Sequence, residues 1–270
     1  MVKEDSARLL ELAKNGDAEA MEALLKEFQP RIYRFGMKMC RHPEDAEDVL
    51  QDTMLTLARS VRDFRGESSL STWLYTVTRS FCMKKRRKSK FAPKVEESLE
   101  GLSPSAAGAL ESTEPGPDVK AESNQAWGQV QKAIAGMEPE FREVLMLRDV
   151  EGLKAKEVAE IIGVSVAAVK SRLHRARAQL RSELVSPVVI PSGCPDIRAV
   201  FSRHLEGDLS SGVCATMEAH VADCAFCAAE CDGLKATLNI CSTSQCEAVP
   251  EGIQRRVQSA LRAALARPPR

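Results

Sequence analysis

Aromatic residues are scarce in this chain, which has two Trp, two Tyr and eight Phe, 4% in all. Apolar residues recur instead at helical spacings, as in Val49, Leu50, Met54 and Leu57 or Val169, Leu173, Ala176 and Leu180, so an all-α fold is expected. No apolar run approaches the roughly 20 residues that cross a bilayer. The opening MVKEDSARLL has no signal-peptide core either, and a cytoplasmic location is expected. Enzyme signatures are also missing: there is no Ser-His-Asp or Cys-His nucleophile arrangement, and the glycines form no phosphate loop, so no catalytic activity is expected. Net charge is absent too, 38 Lys and Arg balancing 38 Asp and Glu. That balance hides a segregation. Glu44 to Asp52 is acidic and Lys84 to Lys90 is basic, which points to two different partners.

With 270 residues the chain can bury more than one small core. Between Phe91 and Asn124 the sequence turns rich in Pro, Gly, Ser and Glu and loses its apolar period, as a flexible linker does. A second break falls at Ser186-Pro187 and Ile190-Pro191-Ser192-Gly193. These breaks predict helical domains over 5–92, 124–186 and 187–270, with a linker over 93–123.

In the first domain, HPEDAEDVLQDTMLTLARSV opens on Pro43 with Glu44, Asp45, Glu47 and Asp48 in its first turns, where carboxylates favour the helix dipole. Ala46, Val49, Leu50, Met54 and Leu57 are the predicted buried stripe. Composition alone reads the acidic side as a solvated face. The next helix, capped by Ser69 or Ser71, carries Trp73, Leu74, Val77 and Phe81 at three- and four-residue spacing and ends in Lys84, Lys85, Arg86, Arg87, Lys88 and Lys90. Such a basic tract suits phosphates. Aromatics beside it fit unstacked bases, although core packing is the preferred reading for Trp73 and Phe81.

In the second domain, KAKEVAEIIGVSVAAVKSRLHRARAQLRSEL predicts a helix through Ile162, a turn at Gly163-Val164, an N-cap at Ser165 and a longer second helix. Val169, Leu173, Ala176 and Leu180 form its apolar stripe. Lys170, Arg172, His174, Arg175, Arg177 and Arg181 stand on other faces, with no acid between Ser165 and Gln179. A DNA recognition helix needs that layout, because some of its side chains reach base edges while flanking cations hold phosphates.

Residues 5 to 185 resemble the extracytoplasmic-function sigma factors, which join two helical domains by a flexible linker. DAEDVLQDTMLTL looks like the segment that grips the largest subunit of RNA polymerase. The resemblance implies polymerase contacts at Asp45, Asp48, Gln51 and Asp52. FRGESSLSTWLYTVTRSFCMKKRR resembles the segment that melts and reads the downstream promoter element, implying DNA contacts at Trp73, Arg79, Lys84, Lys85, Arg86 and Arg87. The second domain resembles the reader of the upstream element, implying DNA contacts at Lys170, Arg172, His174, Arg175 and Arg177.

Seven of the nine cysteines follow residue 190. In a reducing compartment such a cluster more often binds metal or senses redox state than forms structural disulfides. His220, Cys224 and Cys227 stand at i, i+4 and i+7, and are expected on one face of a single helix, sharing a tetrahedral ion with Cys194 as fourth ligand. The stretch CPDIRAVFSRHLEGDLSSGVCATMEAHVADCAFCAAECDGLKATL is similar to the zinc-binding anti-sigma domain, which implies an intramolecular contact with the sigma domains. Cys231, Cys241 and Cys246 are the expected sensing set, and thiolates select zinc, cadmium or copper(I). The whole architecture resembles the cysteine-tailed, copper- and cadmium-responsive (CorE-like) sigma factors. Thiol-disulfide sensing and a purely structural zinc module are the alternatives.

Overall fold

The computed structural model describes residues 2–40, 42–91, 117–185, 191–243 and 249–265, and every regular element among them is helical. The first four helices are α1 (Val2–Lys14), α2 (Ala18–Met39), α3 (Pro43–Ser60) and α4 (Leu70–Phe91). Asp17 starts α2 by accepting the N–H groups of Glu19 and Ala20 at 3.0 Å, two donors that have no partner inside the helix. Pro43 stands at the start of α3, where its missing N–H costs nothing. Ala46, Val49, Leu50, Met54 and Leu57 are all fully buried, as the spacing predicts. Helices α2 and α3 meet closely at Gly36, where an added Cβ would lie 3.5 Å from Ala46.

Helix α4 is capped by Ser69, whose Oγ accepts the Thr72 N–H at 3.1 Å. Its inward face differs from the expected apolar stripe. Leu74 is buried as expected, but Trp73, Val77 and Phe81 are only half-buried, and Tyr75, Thr78 and Cys82 point into the core. Polar pairing turns the helix: the Tyr75 hydroxyl donates to the Glu151 carboxylate at 2.5 Å and its ring meets Phe35 edge-on at 5.4 Å.

The next group is α5 (Pro117–Gly136), α6 (Pro139–Leu145), a π-helical turn over Met146–Val150, α7 (Ala155–Ile162) and α8 (Val166–Leu184). Helix α5 begins inside the stretch expected to be linker, and 93–116 lies outside the described residues. Gly163 takes the left-handed conformation, φ 73°, that closes α7, and the Ser165 Oγ accepts the Ala168 N–H at 3.2 Å to open α8. Val169, Leu173, Ala176 and Leu180 are fully buried. Buried Glu151 joins the two groups, accepting from Arg31 at 3.2 Å and Arg34 at 2.5 Å as well as from Tyr75. Arg142 reinforces the seam by donating to the Lys38 carbonyl at 2.9 Å.

The cysteine-rich part comprises α9 (Ile197–Leu205), α10 (Ser211–Asp223), α11 (Ala225–Thr243) and α12 (Glu251–Leu265). Ile197, Phe201, Met217, Cys227, Cys231 and Leu234 make a small core of its own. Cys241, Val249, Ile253, Val257 and Leu261 belong instead to the large core of the preceding helices. Helix α9 lies on α8, α11 on the π-helical turn, and α12 on α3. No helix among the described residues is long and apolar enough to cross a membrane.

Candidate metal centre and nucleic-acid interface

Cys194, His220, Cys224 and Cys227 offer four ligand atoms that all lie within 4.8 Å of one another. They do not share one helix face. Seven residues of straight helix rise about 10.5 Å, too far for His220 and Cys227 to meet on one ion. Helix α10 stops at Asp223, and Cys224 adopts an extended conformation, φ −117° and ψ 101°. Its N–H still bonds to the His220 carbonyl at 2.9 Å, while its own carbonyl accepts from Ala228 at 3.0 Å in α11. This break folds the chain back, so that His220 Nε2 and Cys227 Sγ stand 3.2 Å apart and Cys194 and Cys224 Sγ 3.7 Å apart.

Tetrahedral zinc with sulfur at about 2.3 Å sets a sulfur-sulfur edge of about 3.8 Å, and three thiolates plus one imidazole make a closed set, so the donors fit such an ion. The thiols differ. The Cys227 N–H, then the Cys194 thiol, hold Cys224 below the usual range despite some burial, whereas burial and its two thiol neighbours push Cys227 up to about 12.

Of the expected sensing cysteines, Cys231 and Cys241 are not brought together. Cys231 lies in the small core and Cys241 in the large one, ten residues and about 15 Å along α11, with Cys246 outside the described residues. Burial pushes the Cys241 thiol up to about 12. Cys214 Sγ sits 3.6 Å from His204 Nδ1, a neighbour that no spacing pattern announced.

On α8, three of the expected DNA-contacting side chains are engaged by the cysteine-rich part. Lys170 pairs with Asp208 and donates to the Glu206 carbonyl at 3.4 Å. His174 Nδ1 lies 2.8 Å from Ser202 Oγ. Arg177 is 2% exposed, held by Asp149 at 2.6 Å and Glu206 at 2.8 Å, and Glu206 also takes Arg148 at 3.1 Å. Burial alone would lower the Arg177 pKa, but these two carboxylates outweigh it and raise it. Farther along α8, Arg181 shares Glu230 with Arg198, at 3.5 and 2.6 Å, and the pair holds Glu230 below its ordinary value against the opposing effect of burial. Arg172 pairs with Glu140 at 3.1 Å, and Arg175 is exposed.

On α4, Lys84 and Arg87 are exposed and Arg86 half-buried, while Arg79 pairs with Glu143 at 2.6 Å. Lys85 joins Asp48 at 2.5 Å and Asp45 at 3.6 Å, so the basic tract and the acidic helix touch. Half-buried Trp73 packs edge-on against Phe64 at 5.9 Å and with it lines an open cleft of about 380 Å³. On α3, Asp48 and Asp52 are exposed, Asp45 and Gln51 half-buried, and Glu47 pairs with Arg256 of α12.

Glu206, Asp208, Glu230 and Arg256 were not singled out from the sequence. Two signals were there to be read: the acids in HLEGDLS opposite a helix stripped of acids, and the four-residue spacing of Ile253, Val257 and Leu261 in α12.

Residues 24–91 match the family Sigma-70 region 2, and residues 127–180 match Sigma-70, region 4. The ECF RNA polymerase sigma factor SigM of Mycobacterium tuberculosis is 30% identical over 175 residues, 65% of this chain and 82% of SigM. SigE of Mycolicibacterium smegmatis is 30% identical over 173 residues, covering 63% of this chain and 64% of that protein. SigG of Mycobacterium tuberculosis is 31% identical over 240 residues, covering 83% of this chain and 62% of SigG. The chain thus spans less than two thirds of SigE and SigG, but most of SigM.

Proposed function

Because the chain belongs to the ECF family of RNA polymerase sigma factors, we propose that it binds core polymerase and directs promoter-specific initiation, restrained by its own cysteine-rich tail until that tail captures metal. A sigma factor is an initiation factor, not an enzyme. On this reading α3 is the polymerase face, with Asp45, Asp48, Gln51 and Asp52 its contacts. Helix α4 melts the promoter, and α8 enters the major groove.

One observation carries the restraint. The tail sets carboxylates where DNA would set phosphates, Asp208 on Lys170 and Glu206 on Arg177, while α12 lies along α3. One arrangement thus occupies part of each binding face, while Arg175, Asp48 and Asp52 stay exposed. A tether keeps such a cover at an effective concentration of the order of millimolar, so a modest contact suffices.

The Cys194, His220, Cys224 and Cys227 set would hold a structural zinc, which when bound ties α9 to the junction of α10 and α11. Capture of further zinc, cadmium or copper(I) by Cys231, Cys241 and Cys246 would favour an undocked arrangement, because burial in the docked one keeps Cys241 protonated. In vitro transcription with core polymerase tests this, comparing the full chain with one ending near Val185 at graded zinc, cadmium and copper(I). The shorter chain should be active without metal and the full chain only with it. Equal, metal-independent activity of the two would remove the restraint reading.

A further inference from the structure

We propose that Cys40 and Cys82 form a redox-active dithiol, a site of reversible disulfide formation in the first helix group, separate from every cysteine of the tail. Cys40 closes the end of α2 and Cys82 lies in the middle of α4, yet their sulfurs stand 3.1 Å apart. That distance discriminates between chemistries. Two thiolates on one tetrahedral ion sit about 3.8 Å apart, close to the 3.7 Å of Cys194 and Cys224. A disulfide needs about 2.05 Å, so the buried pair is already inside the metal-chelate edge and about 1 Å from a bond.

The two sulfurs are not equivalent. Cys82 is 2% exposed, whereas Cys40 borders a cleft of about 470 Å³ between α2, α4 and the start of α6. Arg86 and Arg142 line the same cleft. The contact from Cys82 and the nearby Lys85 and Arg86 hold the Cys40 thiol below its usual range, against burial and Asp45, while the same contact and then burial push Cys82 up. Cys40 is therefore the attacking sulfur and Cys82 the resolving one.

With hydrogen peroxide as oxidant, the Cys40 thiolate attacks one oxygen, the O–O bond breaks, and the departing hydroxide takes a proton to leave as water. The Cys40 sulfenic acid then meets Cys82, whose sulfur displaces the hydroxyl as a second water once its proton is lost. Two thiols and one peroxide give one disulfide and two waters. A small dithiol reverses the step. The bond would tie α4 to the end of α2 three residues before Lys85, the cation that reaches Asp45 and Asp48.

The test uses the full, zinc-loaded chain exposed to graded hydrogen peroxide, with rapid alkylation in denaturant, proteolysis and mass spectrometry, and zinc release followed with a chromophoric chelator. The expected product is a Cys40-Cys82 cross-linked peptide pair, two hydrogens lighter than the free peptides and lost on treatment with dithiothreitol. In Cys40→Ser, Cys82 should stay fully alkylatable, and in Cys82→Ser, Cys40 should stop at the sulfenic acid, trapped with dimedone. Wild-type Cys40 and Cys82 both fully alkylated at peroxide levels that already release zinc would overturn the proposal, as would Cys40 passing to sulfinic acid without joining Cys82. Zinc release reports on the tail alone, so the two outcomes are read separately.

Discussion

Arg177 decides much of how the tail holds on, because it is a cation sealed between one carboxylate of its own helix group and one of the tail. Breaking a buried pair costs about 3–5 kcal/mol, since the remaining charge is left without compensation, and Asp149 stays behind to keep the loss near the lower end. Glu206→Gln should thus lower the unfolding free energy of the full chain, measured by denaturant titration, by about 3 kcal/mol and, on the restraint reading, raise its promoter affinity. A fall in that affinity would show that Glu206 supports the DNA face rather than covering it. His174 adds a proton dependence. Burial first, then Arg177 and Arg203, depress its pKa against the opposing pull of Asp208 and Glu206, so the docked state prefers the neutral ring. Its folded pKa lies below the free value of about 6.5, so its share of docking is intact above that pH and is lost as pH falls from there through the depressed value. Promoter binding by the full chain should rise as pH drops below about 6.5, and His174→Gln should flatten that rise; a rise of equal size in the variant would remove His174 from the account.

Helix α12 and helix α3 bury apolar faces against each other, and Val257 at 1% exposure stands in that seam. Val257→Asp places a carboxylate where no water reaches it, a cost well above about 2 kcal/mol, so α12 should leave rather than accept it. Core polymerase should then bind the variant more tightly than the parent, while Asp48→Lys with Asp52→Lys should abolish binding in either background. Unchanged affinity of the Val257 variant would mean that α12 covers nothing the polymerase uses. At this scale much was legible in the sequence. The α7–α8 turn and the buried stripe of α3 follow from local chemistry, capping and apolar period, that needs no distant partner. What was not legible came from long-range pairing: the inward turn of Tyr75 toward Glu151, the grip of Glu206 and Asp208 on α8, and the seat of α12. The four metal-binding candidates do come together, but His220, Cys224 and Cys227 were expected on a single helix, because spacing alone does not show that the chain must break at Cys224 to bring His220 and Cys227 close.

For the molecule as a whole, the ligand cluster and the docked part of the tail meet at α9, which follows Cys194 and packs on α8. Removing zinc with a strong chelator should unfold the small core around Phe201 and Met217 while most of the sigma helices persist, since structural zinc contributes its binding energy to folding. Circular dichroism should record partial loss of helix, and full retention would make the site non-structural. Cys241→Ser with Cys246→Ser should still fold and keep one zinc per chain but lose metal-dependent transcription; a surviving metal response would end the division between structural and sensing thiols. The cover itself has a further consequence. One tail lies on two helices at once, α9 on α8 and α12 on α3, the proposed DNA and polymerase faces. Linkage is reciprocal, so whatever displaces one end weakens the other by the same free energy. Polymerase and promoter would then help each other bind without touching, and the metal level at which the factor switches on would fall wherever free polymerase is abundant.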